Sequence, residues 1–511
     1  MIDYAALGSA LGHMASLSNA IYLVVGTLIG LVFGVIPGLG GTTAIALLTP
    51  ITFGMDKFDA ITLMAGVMAS TPTSGAVTAI LINTPGTAPN AATVLDGYPL
   101  AKQGKAGLAI GAAATASGIG GLLGIAFLIA VIPITREIVL LFGPPEFFLL
   151  AILGLASIAV STPGRLLRGL IVACFGLLVA FIGYDSFSGE VRFDFGIDYL
   201  WDGVKLVPAM IGLFAVGEMI HLWAKGGSVV ENPDGTTIDG AQVIQGCWEP
   251  IRHWGTTLRG SMIGTGIGAL PGVGGTVAAF LAYTVAVNTS KDPSSFGKGN
   301  IVGVIAPESS NNAKEGGALV PTLAFGIPGS AEMAVFLGVL VLHGLVPGPT
   351  IVLQHMDVIW MLILTLTVAG VLATLITLLT ARPLARLTLV DSRTLVPAVL
   401  AFALIGSYSL NSEILDVVVS LVFGLIGFVF MRLGFPRLTL PIALVLGQIM
   451  ETSYRQSMVI GNGEIGVFLA SVPAKVLVGL ILLALTFPAL KMLFKLVWPG
   501  RAVTPSGGAA E

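Results

Sequence analysis

The sequence predicts an all-α polytopic membrane protein of two inverted-topology repeats, with broken helices, re-entrant hairpins and about 11–12 transmembrane segments. Three observations carry that prediction: an apolar composition, long uncharged runs, and an internal repeat centred on a Pro-Gly-X-Gly-Gly break. Apolar residues make up 55% of the 511 and charged residues only 10%. That is too little charge to cover the surface of a soluble chain of this length. Residues 138–160, 359–380 and 467–490 form apolar runs at or beyond the roughly 20 residues needed to cross a hydrocarbon core.

The repeat is explicit. Gly26, Gly30, Gly34, Pro37, Gly38, Gly40, Gly41 and Thr42 recur at one constant offset as Gly260, Gly264, Gly268, Pro271, Gly272, Gly274, Gly275 and Thr276. Pro85-Gly86-Thr87-Ala88 resembles Pro328-Gly329-Ser330-Ala331, and Pro208 and Glu218 share their spacing with Pro441 and Glu451. So many identities in one register are beyond chance, whereas the last match alone is not. The expected organisation is a first repeat over 1–224 (core 19–105, scaffold helices 106–224) and an inter-repeat loop over 225–253. A second repeat covers 254–490 (core 254–350, scaffold helices 357–490), and a tail covers 491–511.

Loop charges orient the halves. In the first, Lys102 and Lys105, Arg165 and Arg168, and the 225–259 region are basic, while 185–202 is acidic. In the second, 344–357 lacks Lys and Arg, Arg382, Arg386 and Arg393 follow on the other side, and Arg432, Arg437, Lys491, Lys495 and Arg501 complete the pattern. Corresponding loops carry opposite bias, so the positive-inside rule predicts inverted halves with the N-terminus outside and the C-terminus in the cytoplasm. The first eighteen residues lack Lys and Arg and include Asp3, so no signal peptide is expected.

Two regions resist reading as ordinary spans. Residues 36–99 contain apolar stretches at 60–69 and 76–82 separated by breaks at 37–41, 71–75 and 83–87; residues 270–349 contain breaks at 271–275, 307–317 and 326–330. Non-helical backbone at membrane depth survives only where it is buried in protein or lines a wet cavity. Half-helix N-termini offer N–H groups and partial positive charge to an anion. Paired breaks in two inverted halves therefore point to a transporter binding site. The expected substrate-contacting residues are Gly40, Gly41, Thr42, Thr73, Ser74, Asn83, Thr84, Gly274, Gly275, Thr276, Asn311, Asn312, Lys314 and Ser330. Carbonyls at Pro37, Gly38, Pro85, Pro271, Gly272 and Pro328 are the expected cation ligands. For Gly26, Gly30 and Gly34 the better reading is close helix packing. For the hydroxyls and amides at 73, 74, 83 and 84, repair of freed backbone groups competes with ligand contact. Lys314 reads equally as a partner of Glu308 or Glu315, or as a solvated tip.

Other classes fade. The two cysteines, Cys174 and Cys247, form no Cys-X-X-Cys motif, the histidines have no metal-ligand spacing, and no Ser/His or Asp pair suggests an enzyme. No basic cluster points to nucleic acid. A passive pore for small anions and a non-transporting structural or sensory module remain open; dependence of uptake on an ion gradient separates them from a transporter.

At these residues the chain resembles the large membrane subunit of the tripartite tricarboxylate transporters. The stretches that carry the likeness are Gly34-Val-Ile-Pro-Gly-Leu-Gly-Gly-Thr-Thr43, Asn83-Thr-Pro-Gly86, Leu95-Asp-Gly-Tyr-Pro-Leu-Ala-Lys-Gln-Gly-Lys-Ala-Gly107, Ala306-Pro-Glu-Ser-Ser-Asn-Asn-Ala313 and Gly326-Ile-Pro-Gly-Ser330. The resemblance implies a secondary transporter of the bacterial inner membrane that imports an organic carboxylate by cation symport, with sodium the expected ion and no other cofactor. It implies a periplasmic substrate-binding protein and a small transmembrane subunit as partners; dimerisation is left open. This chain departs from the family pattern twice. Thr73-Ser74-Gly75-Ala76 stands in place of Tyr-Gly-Gly-Ser, and Lys314-Glu315 stands where small apolar residues follow the paired asparagines.

Overall fold

The structure is a computed structural model describing residues 3–160, 166–185, 187–225, 238–387 and 392–497. Arg165, the 226–237 part of the inter-repeat segment and the tail from 498, with Arg501, lie outside these residues. Among the described residues the regular structure is helical apart from one short hairpin pairing Gly183–Tyr184 with Val191–Arg192. Among the described residues, seven helices are long and apolar enough to cross a bilayer: Leu17–Val35, Lys57–Ile82, Ala106–Val139, Leu206–Lys225, Met356–Leu384, Arg393–Asn411 and Ile414–Leu433. Shorter apolar helices at Pro144–Ala156, Leu167–Ala180, Ala331–Leu342 and Val472–Thr486 join them. Large apolar side chains such as Leu379, Phe402 and Leu425 face outward, as a lipid-facing surface requires. The protein is a multi-pass, all-α membrane protein.

Two of the apolar runs are not single spans. The 138–160 run is interrupted, with one helix ending at Val139 and the next starting at Pro144. Gly143 and two prolines break it, and the Gly143 N–H donates to Glu146 Oε2 at 2.8 Å. The 467–490 run opens as a 3-10 turn, Ile465–Leu469, and its helix starts only at Val472. Ser471 caps that start by accepting the Ala474 N–H at 3.0 Å.

The same order of elements occurs twice. Leu17–Val35, a break, Gly40–Leu48, Lys57–Ile82, Ala91–Lys102 and Ala106–Val139 are followed later by Trp254–Gly268, a break, Gly274–Thr289, Val302–Phe325, Ala331–Leu342 and Met356–Arg386. Small residues set the internal packing. A Cβ on Gly26, Gly30 or Gly34 would fall 2.2, 2.6 and 2.2 Å from the carbonyl oxygens of Leu63, Val67 and Thr71. On Gly260, Gly264 or Gly268 it would fall 2.7, 2.2 and 2.3 Å from those of Ala306, Ser310 and Lys314. These glycines therefore serve helix packing.

Packing between the halves is exchanged. Ala106–Val139 lies against Val302–Phe325, whereas Met356–Arg386 lies against Lys57–Ile82. Gly120 and Gly124 permit the first contact, since a Cβ there would sit 2.1 and 2.4 Å from the Ser309 and Ala313 carbonyl oxygens.

Two expectations change. The segment 225–253, expected as a loop, holds a helix at Gly240–Arg252. It buries Val243, Gly246 and Pro250 against Ala106–Val139 and leaves Ile244, Trp248 and Ile251 exposed. That pattern suits a helix lying in the membrane interface, and Tyr4–Met14 takes the matching place on Met356–Arg386. The stretches 71–75 and 307–317, expected as breaks, are helical. Lys57–Ile82 runs through Pro72, and Val302–Phe325 contains Pro307 and Pro321. Proline removes one backbone donor, but the Ser70 and Thr71 hydroxyls donate to the Gly66 and Val67 carbonyls at 2.8 and 2.7 Å. The Pro72 carbonyl accepts the Asn90 amide at 3.1 Å.

Candidate functional site

The surviving breaks are four, and they converge. In each half, the break after the first helix uses two glycines at positive φ: Gly38 (+89°) and Gly40 (+52°), then Gly272 (+73°) and Gly274 (+77°). Only glycine takes such angles without steric cost, and each break lets a new helix start, Gly40–Leu48 and Gly274–Thr289. The following long helices end in left-handed residues, Asn83 (φ +56°) and Gly326 (φ +69°). Pro85-Gly86 and Pro328-Gly329 then turn the chain back. These turns touch the first breaks, for a Cβ on Gly86 or Gly329 would meet the Gly34 or Gly268 carbonyl oxygen at 2.0 or 2.7 Å.

Between them lies a cavity of about 480 Å³. Of the sequence-predicted residues, Gly40, Gly41, Thr42, Gly274, Gly275, Thr276, Lys314 and Ser330 line it, with Gly38 and Pro85 from the cation set. Pro37, Pro271, Gly272 and Pro328 belong to the same breaks without lining the wall. Thr73, Ser74, Asn311 and Asn312 sit on the long helices, away from the cavity wall. Asn312 Nδ2 donates to Thr73 Oγ1 at 3.1 Å, and Thr73 lies 3.2 Å from Ser117 Oγ. Ser74 donates to the Thr71 carbonyl at 3.3 Å. Asn83 is exposed and ends its helix, and the Thr84 hydroxyl donates to the Ile82 carbonyl at 3.2 Å. Asn312 and Glu315 border a separate cavity of about 20 Å³ beside Gly118 and Gly121, room for about one water.

The charges on the wall are paired. The Lys314 ammonium meets Glu315 and lies 2.9 Å from Glu332 Oε2. The glycines of the breaks make room for this group. A Cβ on Gly275 would fall 2.4 Å from Lys314 Cδ and Cε, and one on Gly41 would fall 2.8 Å from Glu332 Oε1. Thus Glu332, from the second half, stands at the start of Gly40–Leu48 in the first, where helix N–H groups favour a carboxylate. On another part of the wall Arg437 Nη1 binds Glu218 Oε2 at 2.8 Å, beside Phe214 and Phe435. Ser330 caps Ala331–Leu342 by accepting the Met333 N–H at 3.3 Å.

Sequence reasoning missed Glu218, Glu332 and Arg437 as wall residues. The signal for Glu218 was the Pro208/Glu218 and Pro441/Glu451 match. Glu451, its counterpart, takes both guanidinium arms of Arg192 at 2.7 and 2.9 Å. Each glutamate is therefore bound by an arginine from the other half. Phe214 and Phe435 left no sequence signal.

Comparison with known proteins agrees with this architecture. The family model described as the tripartite tricarboxylate transporter TctA family matches residues 20–442. An uncharacterised 52.8 kDa protein from the TAR-I ttuC' 3' region of Agrobacterium vitis is 34% identical over 457 residues, 89% of each chain. An uncharacterised protein from the TAR-II ttuC' 3' region of the same organism is 36% identical over 217 residues, 42% of this chain and 90% of that one. No solved structure matches the chain at a significant level.

Proposed function

The chain belongs to the tripartite tricarboxylate transporter TctA family, and from that premise we propose that it imports an organic carboxylate by cation symport, with sodium as the ion. The family assigns it the role of a membrane subunit in a tripartite transporter, which implies a small membrane subunit and a periplasmic binding protein as partners. The observation that carries the substrate reading is the meeting of two half-helix N-termini, one from each half, in a single cavity. Each supplies unpaired N–H groups and roughly half a positive charge, a ready site for carboxylate oxygens. Thr42, Thr276 and Ser330 add hydroxyls on the same wall.

Both cations of the wall are already paired, Lys314 with Glu332 and Glu315 and Arg437 with Glu218, so neither brings spare positive charge to a ligand. A carboxylate of low net charge fits such a wall better than a tricarboxylate. In this reading the two cores move together against the remaining helices and expose the cavity to each side in turn. The chain lies in the bacterial inner membrane with its N-terminus in the periplasm and its C-terminus in the cytoplasm. Import of an anion against the membrane potential needs a co-transported cation.

The test is a carboxylate uptake screen in proteoliposomes with both partner subunits, with sodium replaced by choline in parallel. Saturable uptake that collapses in choline is the expected result. Conductance without saturation or gradient dependence would make the cavity a pore.

A further inference from the structure

Glu308 is a carboxylate without a counter-charge. It is fully buried on Val302–Phe325, one turn before the equally buried Asn311. Its Oε1 accepts the Asn90 amide at 2.9 Å and the Thr93 hydroxyl. The Asn311 side chain stands beside the carboxylate, yet Oε2 has no well-formed hydrogen bond, and neither has Asn311 Oδ1. Residues three apart on a helix share a face, so these two oxygens lie on one side of it.

The charged groups on neighbouring elements are engaged elsewhere. Asp96, on Ala91–Lys102, accepts the Tyr283 hydroxyl at 2.9 Å and the N–H groups of Gly299 and Asn300 at 2.9 and 2.8 Å. Lys314, on Glu308's own helix, is held by Glu315 and Glu332. An ionised carboxylate left bare in such a place is too costly to persist. It needs either a proton or a cation.

We propose that Glu308, with Asn311, Asn90 and Thr93, forms the site of the monovalent cation, a proton or sodium, that drives transport. The proposal rests on the transport reading above and moves the cation away from the Pro-Gly carbonyls. One carboxylate balances one positive charge; Glu308 Oε2 and Asn311 Oδ1 are the free acceptors for it, while Asn90 and Thr93 donate to Oε1 and hold the carboxylate in place. Among the described residues no group of three His, Cys, Asp or Glu gathers to hold a metal ion, so a transition metal is a poor fit.

The route to the substrate cavity is short. Asn90 holds Glu308 with its amide nitrogen, holds the Pro72 carbonyl with the same group, and accepts the Thr87 hydroxyl with its oxygen. Thr87 lines the cavity. Occupancy at Glu308 therefore sets the hydrogen bonds of Asn90, and Asn90 positions the hairpin tip that meets substrate.

Two measurements test this. The first is thermal stability of the purified chain in detergent, titrated with sodium chloride against choline chloride, and separately with pH. Wild type is expected to respond to one of the two cations, and Glu308→Gln to lose that response while Asp185→Asn keeps it. The second is uptake in proteoliposomes with the partner subunits. Glu308→Gln is expected to lose gradient-driven accumulation more than tenfold while still exchanging internal for external carboxylate. If that variant does not fold, Glu308→Asp and Asn311→Ser are expected to raise the cation concentration for half-maximal response about tenfold. A wild-type response in these variants, or no response to either cation in wild type, overturns the site. Failure of wild type to move any carboxylate overturns the transport reading instead, and the stability titration still reports on the site.

Discussion

The core at residues 17–102 and the core at residues 254–342 share their breaks and their packing, yet they carry different chemistry. Gly34 lies on the Thr71 carbonyl where Gly268 lies on that of Lys314. Thr71-Pro72 and Lys314-Glu315 thus occupy matching places. The exchanged contacts match too: Gly41 faces Glu332, and Gly275 faces Pro89 as well as Lys314. Around its breaks the first core offers backbone, hydroxyls and proline, with its buried Asp96 engaged by Tyr283, Gly299 and Asn300, whereas the second brings Glu308, Lys314, Glu315 and Glu332. The two copies share their geometry and differ in their charge. The shape of a Pro-Gly break is a backbone property and tolerates such divergence nearby.

The largest expected effect comes from the place where the cores differ most. Lys314→Met leaves two buried carboxylates unpaired and is expected to cost about 3–5 kcal/mol. Thr71→Val removes only a hydroxyl bonded to its own helix and is expected to cost about 1 kcal/mol. Thermal denaturation in detergent checks the pair, and equal losses would break the contrast. Adding Glu332→Gln to the Lys314 variant is expected to restore part of the loss.

Next come the positions where the cores agree. Gly34→Val and Gly268→Val each force a side chain onto a carbonyl at 2.2 or 2.3 Å, and both are expected to cost about 1–3 kcal/mol. Loss of the monodisperse peak in size-exclusion chromatography from one variant but not the other would mean that the two interfaces are not equivalent.

A smaller effect is expected at the cavity mouth. Gly275→Ala displaces the Lys314 methylenes and is expected to lower uptake about tenfold. Gly41→Ala presses only on the Glu332 carboxylate and is expected to lower it about threefold. Initial uptake rates with matched protein levels decide, and the reverse order would place the critical charge on Glu332.

The smallest effect lies outside the cores. Backbone and hydroxyl donors from Phe187 and Ser188, with Arg192 and Arg455, hold the Asp185 carboxyl below its ordinary value of 3.8. A lowered folded value stabilises above the unfolded value and fades as pH falls through the folded one. The stability difference between wild type and Asp185→Asn is therefore expected to be constant near neutrality, to begin fading below about pH 4 and to vanish only below the lowered folded value. Melting curves across that range read it directly.

The breaks at 37–41 and 271–275 were legible because proline and positive-φ glycine leave a mark within a few residues. The packing glycines were legible through their spacing. The expected breaks at 71–75 and 307–317 misled because their small polar residues look like a loop. They stay helical instead, with several of their hydroxyls donating to carbonyls of their own helix, which only the packed structure reveals. Glu218 was legible only as half of a weak repeat match and Arg437 only as a loop charge, because their pairing exists only once the two halves have come together.

By itself the sequence determined the membrane class, the duplication and the Pro-Gly places where the backbone leaves the helix, though not that 71–75 and 307–317 stay helical. These are local matters of hydrophobic length and allowed φ. Only the tertiary structure decided which breaks meet in one cavity, that Glu218 and Glu451 are each bound by an arginine from the other half, and that Glu308 is left with no counter-charge. Each of those depends on residues far apart in the chain, and burial, which sets the cost of a charge, exists only once they have packed.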